Sequence, residues 1–196
     1  MQLVADALVD GPLPGFDQGL GGPGLPDDDH EVGDVLSGVE SLVAAGLADP
    51  DRLFLFGHSY GGYLVNRIVT IDHRFCAAVC WEGVADLRLL DALLGGNARQ
   101  RALLGGSPWQ APERWAAASP ATRADRVRTP MLLAYGQDGI GPAHGVAWLT
   151  ALQDHGVPCS LVVYDGEGHL LARPENQADL FARAAEWFRR HPARPQ

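Results

Sequence analysis

Five residues, Gly57-His58-Ser59-Tyr60-Gly61, follow the apolar run Leu53 to Phe56 and open a segment with apolar residues on most faces. This is the pattern of a strand, a sharp turn and a buried helix that together present a serine hydroxyl, the nucleophile elbow. Glycine is expected on both sides of Ser59, where the new helix passes too close to the strand for a Cβ, while the serine itself is held in a strained conformation. The turn would lift Oγ clear of the sheet edge. Because this chain holds 24 glycines, the pattern needs support from its surroundings.

Those surroundings alternate strand and helix. Glu31 or Asp34 to Ala45 carries Val35, Val39 and Leu42 at helical spacing and ends at Gly46, a natural C-terminal cap. After the elbow helix, Tyr60 to Ile71, come a short apolar strand from Phe75 to Trp81, a strand from Met131 to Tyr135, a helix from Ala143 to Asp154, a strand from Ser160 to Tyr164 and a last helix from Glu175 to Arg190. Residues 85 to 128, with short helical runs at 87–94 and 99–104 and an alanine-rich turn at 113–118, read as an insertion outside the sheet. At the start, residues 3 to 9 read as a strand and the Gly- and Pro-rich stretch from Gly11 to Pro26 as a surface loop. The alternation predicts one α/β domain over residues 1–196, with a mostly parallel sheet covered on both faces.

Composition excludes several classes of function. All 15 basic residues are arginine and the net charge is −9, so nucleic acid and anionic membranes are not expected partners. The N-terminus lacks the basic and apolar regions of a secretory signal, and cytoplasmic residence is the expectation. Cys76, Cys80 and Cys159 are odd in number, have no Cys-x-x-Cys spacing and lie in apolar runs, which predicts buried free thiols. His30 beside Asp27, Asp28, Asp29 and Glu31 reads as a charged loop entering a helix, and no metal site is predicted.

A serine hydroxyl needs a base to take its proton and an acid to fix that base's tautomer, and in this architecture the order is Ser, acid, His. Asp138, just past the strand ending at Tyr135, is the candidate acid; His169, in Asp165-Gly166-Glu167-Gly168-His169 past the next strand, is the candidate base. All three would meet at the C-terminal edge of the sheet. His58, adjacent to the nucleophile, should point away from it and pack behind it. The Tyr60 N–H supplies one oxyanion donor. A second donor is not evident, since Gly21-Gly22-Pro23 lies only 36 residues before Ser59 and within a different loop. Trp81 and Trp109 are candidate substrate-pocket residues.

With these residues assembled, the chain resembles the catalytic domain of the prolyl oligopeptidase family, most closely its acylaminoacyl-peptidase-like branch. The stretches that carry the resemblance are Asp49-Pro50-Asp51-Arg52 with Gly57-His58-Ser59-Tyr60-Gly61-Gly62-Tyr63, then Gly105-Gly106-Ser107-Pro108-Trp109, Arg126-Val127-Arg128-Thr129-Pro130, and Tyr164-Asp165-Gly166-Glu167-Gly168-His169. The resemblance implies an α/β-hydrolase fold and a serine peptidase that needs no cofactor, with Ser59, Asp138 and His169 acting through an acyl-enzyme on short peptides or acyl-amino acids. A carboxylesterase acting on small esters, or an inactive truncated domain, stands as the alternative.

Two departures from the family pattern bear on the site. The resemblance begins at about the family's fourth strand, so the first strands and a His-Gly-Gly-Pro-like oxyanion loop are expected to be missing; a homodimer is one way to cover the parallel edge this exposes. The family's acid stands three residues after the glycine that ends its strand. Here that position is Gly139, and Asp138 is one residue short of it.

Overall fold

The computed structural model describes residues 30–139 and 141–193. The strand expected at residues 3–9, the loop from Gly11 to Pro26, the Gly21-Gly22-Pro23 segment and the acidic run Asp27 to Asp29 lie outside the described residues.

Four parallel strands form one sheet in the order β1 (Leu53–His58), β2 (Phe75–Trp81), β3 (Met131–Gly136) and β4 (Cys159–Tyr164). Each pair is linked by a crossover, because parallel neighbours cannot be joined by a hairpin. The two central strands lie between helical layers and contain almost nothing polar: β2 is buried from Phe75 to Cys80 and β3 along its whole length. On one face, α1 (His30–Ala44), α2 (Tyr60–Ile68) and α6 (Pro142–Asp154) contribute Val39, Val65, Ile68, Trp148 and Leu152 to the main core. α7 (Pro174–Arg190) brings Leu180 and Ala184 against Val79, Leu132 and Ala134 on the other face. Its exposed Arg189 and Arg190 stand at the helix's negative end.

The segment between β2 and β3 does form an insertion. It holds α3 (Leu87–Leu93), α4 (Ala98–Leu103), α5 (Pro112–Ala118) and a 3₁₀ segment (Pro120–Arg126), packed around a second core of Leu87, Leu90, Leu104 and Trp115 with Tyr63 of α2. Asp86 caps α3 by accepting from the Arg88 N–H at 2.8 Å, and Asn97 caps α4 by accepting from the Gln100 N–H at 3.1 Å. The Asp91 carboxylate takes both arms of Arg101, at 2.9 and 2.7 Å, and so ties α4 to α3. This small helical cap stands over the C-terminal edge of the sheet and forms one wall of the site.

Among the described residues β1 is an edge strand, and no helix is long and apolar enough to cross a membrane.

Candidate active site

The turn between β1 and α2 is built on close backbone approach. A Cβ on Gly57 would come within 2.2 Å of the Gly61 carbonyl oxygen, and one on Gly62 within 2.8 Å of the Gly83 Cα. The crowding expected at Gly61 falls instead on Gly62, because Gly61 faces open space while its neighbour lies against the chain leaving β2. Ser59 sits at φ 57°, ψ −118°, a conformation non-glycine residues rarely adopt, and is anchored by its N–H bonded to the Trp81 carbonyl at 2.9 Å. Strain of this kind costs about 1–3 kcal/mol and persists where the surroundings over-determine it.

Ser59 Oγ lies 2.8 Å from His169 Nε2. The histidine arrives on the loop after β4, which Glu167 holds shut. That buried carboxylate accepts from the Ala172 and Arg173 N–H groups at 2.6 and 3.1 Å and from Asn176 Nδ2 at 2.6 Å. The Asn176 bond, followed by the Ala172 N–H, keeps the Glu167 carboxyl below its usual pKa. His58 Nε2 lies 2.8 Å from the His169 carbonyl oxygen, and the His58 ring packs on Trp81 at 4.1 Å. Burial lowers the His58 pKa, so the neutral ring can donate that bond as N–H. His58 therefore packs against His169 and Trp81, and its ring is bonded to the His169 backbone.

The carboxylate beside His169 is not the one expected from the sequence. Asp138 is exposed, its N–H bonds to the Glu167 carbonyl at 2.8 Å, and its side chain does not reach His169. The carboxylate that faces His169 Nδ1 belongs to Glu82, with Oε2 at 3.3 Å. Glu82 follows β2 directly, is fully buried, and is one of two described non-glycine residues with positive φ, at 52°; the other is Ser59. Its second oxygen accepts the Gly136 N–H at 2.5 Å. A Cβ on Gly139 would lie 2.6 Å from Glu82 Oε2 and 2.8 Å from Oε1. The space a side chain at position 139 would need is thus filled by a carboxylate from the neighbouring strand. Asp138, one residue short of that position, is directed to solvent. A lone acid after a fully apolar strand, Trp81-Glu82-Gly83, at the same sheet edge as Ser59, was the sequence signal for it.

An apolar cavity of about 180 Å³ opens beside Ser59, with Ser59, Glu82 and His169 among its lining residues. Its walls are Tyr60 and Tyr63 of α2, Val84, and Leu87, Leu90 and Leu94 of the cap, with Asn97 and Gln100 as polar members. Neither tryptophan expected in the pocket lines it. Trp81 packs beneath His58, and Trp109 is 92% exposed because its loop runs along the outer surface of the cap. Cys80 lies deeper, its thiol pushed up to about 11 by burial, which keeps it protonated and unreactive. Among the described residues no group of three or more His, Cys, Asp or Glu side chains is arranged to hold a metal.

Comparison with known proteins gives the family and the fold. The profile of the prolyl oligopeptidase family matches residues 27–194. The chain is 24% identical to the acylamino-acid-releasing enzyme of Arabidopsis thaliana over 173 residues, covering 83% of this chain and 23% of that protein. It is 31% identical to dipeptidyl aminopeptidase BIII of Pseudoxanthomonas mexicana over 153 residues, covering 73% of this chain and 22% of that protein. The crystal structure of a puromycin hydrolase superimposes with a TM-score of 0.72 at 30% identity, covering 81% of this chain and 24% of that one. The chain spans about a fifth to a quarter of the length of these relatives.

Proposed function

Because this chain belongs to the prolyl oligopeptidase family, we propose that it is a serine hydrolase that cleaves short peptides or acyl-amino acids through an acyl-enzyme, with Ser59 as nucleophile, His169 as base and Glu82 as the acid. The observation that carries the reading is the 2.8 Å contact between Ser59 Oγ and His169 Nε2, with a buried carboxylate on the other ring nitrogen.

In this scheme His169 carries its proton on Nδ1, donated to Glu82, so Nε2 is free to accept from Ser59 Oγ–H as Oγ attacks the scissile carbonyl. The imidazolium that forms lies against the Glu82 carboxylate, then gives its Nε2 proton to the leaving amine. Water attacks the resulting ester by the same route in reverse, with His169 again as base. The carbonyl oxygen becomes an oxyanion, and its donor is the N–H of Tyr60, the residue that follows Ser59 and opens α2. The apolar cavity beside Ser59 receives the side chain of the residue whose carbonyl is attacked.

A fluorophosphonate probe tests the reading directly. Labelling at Ser59 that is abolished in Ser59→Ala is expected, and an unlabelled folded protein would defeat it. Turnover of aminoacyl p-nitroanilides identifies a peptidase, whereas cleavage of p-nitrophenyl esters with the anilides left intact identifies a carboxylesterase.

A further inference from the structure

The cavity beside Ser59 has the size of one side chain. Pockets for whole drug-sized ligands run to roughly 300–1,000 Å³, while an apolar cavity of about 150 Å³ is known to hold a benzene ring. At about 180 Å³ this one accepts a single ring with a small substituent. Its walls exclude charge, since an unpaired ionised side chain placed among leucines and tyrosines would lose its hydration without compensation.

One feature of the lining is not explained by an apolar occupant. Gln100 is 5% exposed, and its Oε1 is buried with no hydrogen-bond partner. The other polar lining groups are engaged. Asn97 Oδ1 caps α4, the Tyr63 hydroxyl donates to the Ala118 carbonyl at 3.0 Å, and Glu82 serves His169 and Gly136. Gln100 is not loosely placed: the Asn97 cap and the paired Asp91–Arg101 arms fix its helix against α3. A buried carboxamide left unpaired is costly, and such groups in folded proteins call for an explanation.

We infer that Gln100 is a specificity-determining residue, and that the cavity selects a tyrosine-like side chain, an aromatic ring whose hydroxyl bonds to the Gln100 carboxamide. A phenol hydroxyl can donate to Gln100 Oε1 and so pair the atom that is otherwise left without a partner. Phenylalanine fills the same space but leaves the amide unpaired. This inference rests on the hydrolase reading for its catalytic readout only.

The test compares kcat/KM for N-acetyl-tyrosine and N-acetyl-phenylalanine p-nitroanilides. One ordinary hydrogen bond corresponds to a preference for tyrosine of about tenfold. In the near-isosteric Gln100→Met the preference should fall within about twofold of unity. A wild-type ratio near one, or a tenfold ratio that survives the substitution, overturns the inference. A second measurement needs neither turnover nor a variant at position 100: p-cresol should bind the Ser59→Ala protein about tenfold more tightly than toluene, and equal or reversed affinities refute the proposal. Failure of fluorophosphonate labelling would sink the hydrolase reading alone, leaving the p-cresol comparison to decide the pocket.

Discussion

Replacing Glu82 by glutamine keeps an oxygen for the Gly136 N–H but removes the negative charge that faces His169. A hydrogen bond to a charged group is worth about 1.5–3 kcal/mol, which is a factor of roughly 10–150 in rate. Loss of the acid in the best-studied serine protease triad costs more, about 10⁴ in kcat, because the wrong histidine tautomer is then held. Here the contact is 3.3 Å and the His169 side chain is 40% exposed, so water can stabilise part of the imidazolium and the roughly 10–150-fold range applies rather than the loss of about 10⁴. Glu82→Gln should therefore lose about 10²-fold in kcat with KM little changed, whereas Asp138→Asn should stay within about threefold of wild type. The space around Gly139 adds a sharper arm. Gly139→Asp alone introduces a Cβ within 2.6 Å of the Glu82 carboxylate and a second negative charge beside it, and should be destabilised. Combining it with Glu82→Ala vacates that space and offers a carboxylate from the adjacent strand, and should restore about tenfold over Glu82→Ala. Steady-state kinetics on aminoacyl p-nitroanilides, with the rate of fluorophosphonate labelling as a second readout, measures all five variants. A Glu82→Gln enzyme within threefold of wild type, or an Asp138→Asn enzyme down by 10², would refute the assignment of the acid.

Further outcomes follow from packing and charge. Gly57→Ala forces a Cβ into the Gly61 carbonyl and should cost about 1–3 kcal/mol or more in chemical denaturation, while Gly61→Ala, facing open space inside α2, should be neutral or gain up to about 1 kcal/mol. Stability should fall in two stages on acidification. Burial lowers the pKa of His58, His144 and His191 below 6.5 in the folded protein, so the unfolded chain takes up more protons and stability declines as pH drops from about 6.5 through their folded values. Glu167 is depressed below 4.5, so its contribution is present above that value and is lost as pH falls through its folded pKa; denaturation midpoints across pH should lose the lower stage in Glu167→Gln. Trp109→Ala should leave both melting temperature and kcat/KM unchanged, because the ring is 92% exposed and outside the cavity. If a second copy covers the edge at β1, sedimentation velocity will show a concentration-dependent species of twice the chain's mass, and a single monomer boundary at high concentration would reject the dimer.

Local pattern was enough to read the strands and helices of the described core, since each buried strand is a short apolar run and each covering helix has an apolar stripe at helical spacing. It was enough to mark Ser59 as a candidate, because the elbow is a contiguous five-residue geometry with its own steric signature, and to mark His169, whose glycine-flanked loop lies directly after a strand. The carboxylate that faces His169 was not legible in the same way. Its role depends on which carboxylate reaches an imidazole across the sheet edge, and that is decided by strand order, by the φ of one residue after β2 and by a missing side chain at position 139. The pocket tells the same story. Tryptophans are conspicuous in a sequence, but what lines a cavity is settled by how a helical cap folds back over the sheet, which brought leucines and one unpaired glutamine to the site and left Trp109 in solvent. Sequence by itself determined the elements and marked Ser59 and His169 as candidates, because those signals lie among near neighbours along the chain. The identity of the third group and the chemistry of the pocket arise between residues tens of positions apart, and only tertiary packing could choose them.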